Sequence, residues 1–209
     1  MPMLLHELHP MLIHAPLVLL PVSSAVEIAA AGSSWPASVV IDRVGRKLWW
    51  ATALSALGAG LAGMAASREV RVEDRRAEDA MFVHGLGNFT LVLAALGVAT
   101  WRSGHRASAA TAALGVGAVG AALYTAYLGG ELVYAHGLGV KSSRAGSGDQ
   151  TPLLSSAAPA RLARDAASGL GWLLSRGFGL VRGKDQLDLR AVAPGGPQAT
   201  EPVMTRPEA

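Results

Sequence analysis

The chain has 209 residues; 51% are hydrophobic, only 16% are charged, and the mean hydropathy is +0.33, an apolar excess that points away from an ordinary soluble domain. Cysteine is absent, which excludes disulfides, thiolate metal sites, cysteine-ligated iron–sulfur clusters and covalent c-type haem. The pI near 9.7 accompanies a net charge of only +3, with the arginines in loops and tail, so nucleic acid is not an expected partner.

The first apolar run, about Met11 to Ala31, is long enough to cross a bilayer. No Lys or Arg precedes it, so it reads as a retained helix rather than a signal peptide. Pro10, Pro16 and Pro21 predict a bend near its start, because proline removes a helical N–H and frees a carbonyl. A loop with Asp42, Arg43, Arg46 and Lys47 leads to the second run, about Leu48 to Ala66. Trp49 and Trp50 suit the membrane–water interface there, and Gly58, Gly60 and Gly63 suit close helix contact. The connector Ser67–Asp79 is charged with both signs and is expected to be solvated. The third run, about Met81 to Trp101, carries His84 and Asn88 near its start. The fourth, about Ala109 to Ala135, turns polar at Tyr124, Tyr127, Glu131, Tyr134 and His136.

The expected architecture is all-α: a four-helix transmembrane bundle over residues 1–140 and a largely disordered tail over 141–209. Lys141–Thr151 reads as a Ser/Gly linker, and the chain after Ala191 is rich in Pro and Gly. Between them residues 159–181 predict an amphipathic helix with Leu162, Ala166, Leu170, Leu173, Leu174, Gly177 and Val181 on its apolar face. Arg161, Arg164, Asp165, Ser168 and Arg176 fall largely elsewhere. Such a helix either lies on an anionic membrane or a partner, or packs nowhere in particular.

Four crossings thread His14, His84 and His136 to one side of the membrane, with His6, His9 and the acidic connector beside them and only His105 opposite. Glu131 lies a little over one turn inside the fourth helix, and ionisable groups in spans usually face the bundle interior. Imidazoles from different helices are what a b-type haem needs, and Gly85, Gly87, Gly129, Gly130 and Gly137 flank the third- and fourth-helix positions. A non-haem metal held by His14, His84 and His136, completed by His9 or Glu131, is the second option. Asn88, Tyr134 and the connector carboxylates would support the ligand rings. The plainer alternative is that the histidines, Asn88 and Glu131 make ordinary interhelical contacts, with no cofactor.

The run His9-Pro10-Met11-Leu12-Ile13-His14-Ala15-Pro16 resembles the opening of a bacterial membrane-protein family known as domain of unknown function 2231, except that Ala15 stands where that family has Phe. His84 with Asn88, and Gly129-Gly130-Glu131-Leu132-Val133-Tyr134 with Gly137-Leu138-Gly139-Val140, are similar to its later motifs; the likeness covers about residues 5–140. The resemblance implies a four-helix membrane domain without an established activity, some of whose relatives are joined to Rieske-type or cytochrome c modules. The expected function is therefore a haem- or metal-binding electron-transfer subunit in the bacterial inner membrane, not an enzyme on its own, with redox proteins or other membrane subunits as partners. The alternative is a non-catalytic scaffold or anchor for partner proteins. Arg43, Arg46, Lys47, Arg102 and Arg106 on one side roughly balance Arg68, Arg71, Arg75, Arg76, Lys141 and Arg144 on the other, and the basic tail helix favours a cytoplasmic C-terminus.

Overall fold

The computed structural model describes residues 7–33, 37–70, 72, 74–138 and 155–194, and every regular element among them is helical. The elements are α1 (Leu8–Leu12), α2 (His14–Gly32), α3 (Ala37–Glu69), α4 (Arg75–Gly104), α5 (Ala109–Tyr134), α6 (Ala158–Val181) and a 3₁₀ turn at Leu189–Ala191. The linker expected at 141–151 and the chain beyond 194 lie outside the described residues, as does His6.

Four helical stretches are long and apolar enough to cross a membrane: Leu8–Gly32, Val39–Glu69, Arg75–Gly104 and Ala109–Tyr134. The first is interrupted at Ile13, between α1 and α2. Pro16 has no N–H to offer the Leu12 carbonyl, which places the break one turn before that proline. Two spans start earlier than the apolar runs suggest. In α3 the charged stretch Asp42–Lys47 is already helical, held by an Asp42–Arg46 pair at 3.5 Å and by the inward use of Asp42. In α4 the helix begins within the connector, where the Asp74 side chain accepts from the Arg76 N–H. Ser108 and Thr111 form a capping box at the start of α5.

The spans pack in a ring, α2 beside α3 and α5, and α4 beside α3 and α5, so α2 and α4 face each other diagonally. The core is built of Leu20, Trp49, Ala53, Ala95, Val98 and Ala99. Small residues let the backbones come close: a Cβ at Gly115 would lie 2.9 Å from Ser24 Oγ and 3.4 Å from Ser24 Cα.

α6 runs from Ala158 to Val181 and does not sit apart from the bundle. It packs along α3 and touches α4, burying Ala158, Ala166, Gly169, Leu173 and Arg176. This face is rotated from the expected apolar one: Leu174 and Val181 are exposed and Arg176 points inward. Two contacts set that rotation. A Cβ at Gly169 would drive into the Met64 main-chain carbonyl, so only glycine permits the approach. Arg176 pairs with Asp79, donates to the Glu78 carbonyl at 2.9 Å and to Asp185 at 3.2 Å, and stands 5.0 Å from the centre of the Phe82 ring. Beyond α6 the chain folds back, with the Asp188 N–H donating to Asp79 and the Tyr124 hydroxyl to the Val192 carbonyl. Residues 155–192 are thus part of the packed structure.

Gly169→Leu is expected to lift α6 off α3, raising protease cleavage in residues 155–181 while the four spans keep their helical circular dichroism in detergent. The hydrogen bond from Arg75, followed by that from the Gln186 N–H, holds the Asp185 carboxyl below the ordinary carboxylate range. A depressed value means that this carboxylate's contribution to holding the tail is complete above the ordinary value near 4 and disappears as pH falls through the lowered one. A spin label on α6 should therefore show constant immobilisation down to about pH 4 and increasing mobility below it. Asp185→Asn should loosen the label already at neutral pH and flatten the profile.

Candidate functional site

Two polar clusters occupy the axis of the bundle, one at each end. At the end formed by the N-termini of α1 and α4 and the C-termini of α3 and α5, His9 and His84 face each other across the diagonal, ring centres 6.4 Å apart and planes at 86°. Each ring is mounted in the same way. His9 Nδ1 lies 2.9 Å from the Ala59 carbonyl on α3, and its ring fills the space beside Gly63, where a Cβ would come within 2.9 Å of it. His84 Nδ1 lies 2.7 Å from the Thr125 carbonyl on α5, and its ring fills the space beside Gly129, again within 2.9 Å of a would-be Cβ. In both hairpins the accepting carbonyl is four residues, about one turn, before the glycine.

A carbonyl can only accept, so both Nδ1 atoms carry protons and, in the neutral rings, both Nε2 atoms present lone pairs. Asn88 fits this assignment. Its Nδ2 donates to the His84 carbonyl at 3.0 Å and lies 3.1 Å from His84 Nε2, while Thr125 Oγ1 donates to its Oδ1 at 3.2 Å. No hydrogen-bond partner for His9 Nε2 is present among the described residues.

The expected trio His14, His84 and His136 is not brought together. His14 is exposed, with Nδ1 facing the Met11 carbonyl of its own turn at 3.4 Å. His9, five residues before His14 and so on a different side of the same span, is the one that faces the bundle axis. His136 stands at the same end, with its Nδ1 3.5 Å from Asp74 Oδ2. Glu131 is half-buried, and Tyr134 is 91% exposed, which removes it as a support for ligand rings. Among the described residues no three His, Asp or Glu side chains converge as a metal-binding group, so the metal set of His14, His84 and His136 with His9 or Glu131 is not assembled. His105, at the opposite end, stacks on Trp101 at 3.8 Å.

The other cluster was not legible as a site. Arg102, which the sequence places among loop arginines, is 0% exposed. Its Nε donates to Glu27 at 2.9 Å, its Nη2 to Asp42 at 2.9 Å, and its Nη1 to the His105 carbonyl. Trp49 Nε1 and Thr111 Oγ1 also donate to Glu27, and the Ala107 N–H donates to Asp42. Every span contributes a group: Glu27 from α2, Asp42 and Trp49 from α3, Arg102 from α4, Thr111 from α5. The missed signal is a spacing. Glu27 follows His9 by 18 residues and Arg102 follows His84 by 18. Eighteen residues are five turns, so each helix directs both groups to one face, about 27 Å apart.

The chain matches the family described as predicted membrane protein, DUF2231, over residues 5–142. It belongs to that family. The DUF2231 domain thus comprises α1 to α5 with both polar clusters, whereas α6 and the strap after it lie beyond the match. No curated protein and no solved structure matches the chain.

Removing Arg102 leaves Glu27 and Asp42 buried without their shared cation. Arg102→Met is expected to destabilise the DUF2231 domain by about 3–5 kcal/mol, read as a lower unfolding midpoint in detergent. Arg102→Met combined with Glu27→Gln and Asp42→Asn should recover part of that loss.

Proposed function

We propose that this protein is an electron-transfer subunit of the bacterial inner membrane that binds haem b through His9 and His84. The observation that carries the reading is the pair itself: two imidazoles from diagonal helices, each locked by an Nδ1 hydrogen bond to a main-chain carbonyl, 6.4 Å apart. Metal-ligating histidines commonly donate their second N–H to a carbonyl or carboxylate, which fixes the ring and raises its basicity. Two imidazoles on one metal through Nε2, with bonds near 2 Å, have ring centres about 6 Å apart. Haem is favoured over a bare ion by the donor count. A haem supplies four nitrogens of its own and needs one or two protein ligands, whereas a zinc-type ion asks for three or four. In this reading His9 offers its open Nε2, and the Asn88 amide, retained by Thr125, moves aside from His84 Nε2. Bound haem would supply one-electron transfer.

One observation favours the scaffold alternative. At the histidine end Tyr134 (91%), Phe178 (61%), Val181 (86%) and Leu189 (71%) leave apolar surface uncovered, which suits a partner protein or the lipid interface.

The test is an absorption spectrum and metal analysis of protein made with haem supplied. A Soret band that is lost in both His9→Ala and His84→Ala but kept in His14→Ala is the expected result. Asn88→Leu should keep the band, since that amide is not a ligand. A colourless, metal-free protein, or a band indifferent to both substitutions, overturns the haem reading.

A further inference from the structure

We infer that the outer face of α4, at the end opposite the histidines, is a binding site for one anionic phospholipid. A groove of about 470 Å³ runs along that face between Leu96, Gly97, Thr100, Trp101, Gly104 and His105. Its floor is glycine, yet the chain's own packing does not explain the glycines: a Cβ at Gly97 or Gly104 would meet nothing within 4 Å. This separates them from Gly63, Gly115 and Gly129, where neighbouring helices forbid a side chain. What the groove accommodates lies outside the chain, and on a spanning helix that surroundings is lipid. Trp101, stacked on His105, forms one wall at the depth where amphipathic rings meet headgroups.

The charge at this rim selects the headgroup. Trp50 Nε1 donates to Ser103 Oγ at 2.9 Å, which fixes the outer face of α3 beside this part of α4. Lys47 and Arg43 precede Trp50 by three and seven residues, so they follow it on the same face, one and two turns further out. Both are exposed, as is Arg106. The acids at this end, Glu27 and Asp42, are both buried around Arg102, so among the described residues no carboxylate is exposed there to oppose an anion. An apolar slot leads from the membrane to a cationic rim, which fits an acyl chain joined to a negatively charged headgroup better than a zwitterionic lipid. The inference is independent of the haem reading, since the two sites are at opposite ends of the bundle.

Native mass spectrometry of the full chain, loaded with phosphatidylglycerol or with phosphatidylcholine of identical acyl chains, tests it. The expected result is one retained phosphatidylglycerol per chain, held about tenfold more tightly than phosphatidylcholine, with the preference abolished by Arg43→Gln with Lys47→Gln. Gly97→Leu should weaken both lipids by filling the slot while the helical content is kept, since a Cβ at Gly97 meets nothing within 4 Å. Equal retention of the two lipids by the unsubstituted protein, or a preference that survives the paired substitution, overturns the proposal. So does Gly97→Leu converting a dimer to a monomer, which would make the face a contact between copies of the chain.

Discussion

A guanidinium held away from water inside a helical bundle has to take its counter-charges from other helices, and Arg102 takes them from two. Glu27 and Asp42 close on it from α2 and α3, with Trp49 and Thr111 donating to Glu27 and the Ala107 N–H to Asp42. Such a cluster contributes less to net stability than its Coulomb attraction suggests, because every member loses its hydration. Its consequence is specificity of assembly. A bundle that rotated or slid α2, α3 or α4 would bury an unpaired charge, and one that slid α5 would lose the Thr111 bond to Glu27, so the cluster fixes the register of all four helices at once.

Register at one end determines geometry at the other. Because His9 and Glu27 share a face of the first span, and His84 and Arg102 share a face of the third, locking Glu27 to Arg102 across the diagonal also sends His9 and His84 to the axis. The imidazoles then dock over Gly63 and Gly129 in matching fashion, each on the span that follows its own in the chain. The bundle is in this respect two hairpins with one plan, differing where it matters chemically: His84 has Asn88 one turn on, whereas the corresponding position after His9 is Ile13. The pair is thus asymmetric, with one Nε2 occupied and one open among the described residues.

The tail adds a second layer to the histidine end. Arg176 joins Asp79 and Asp185, and Arg75 reaches the same Asp185, so the start of α4 is tied to the segment after α6. This addition lies outside the family domain and rests on α3, where Gly169 meets the Met64 carbonyl. The Arg176–Asp79 pair is buried like those around Arg102, whereas the Arg75–Asp185 pair is partly solvated and correspondingly sensitive to salt and pH.

Composition and run length determined the class of this protein. Apolar stretches of about twenty residues have no other use in a chain of this charge content, and an even number of crossings puts His9, His14, His84 and His136 at one end. The apolar run from about Ala109 and the amphipathic pattern after Pro159 were also readable as helices. Which histidine reaches the axis was not readable, since His9 and His14 sit five residues apart on different sides of the span and hydropathy does not say which side faces inward. Nor was the burial of Arg102 and Asp42, because hydropathy counts a charge at a helix end as solvated and ignores partners from other helices. Those were decided by tertiary structure for one physical reason: a polar side chain in a membrane bundle goes where its complement is, and the complement comes from a distant part of the chain.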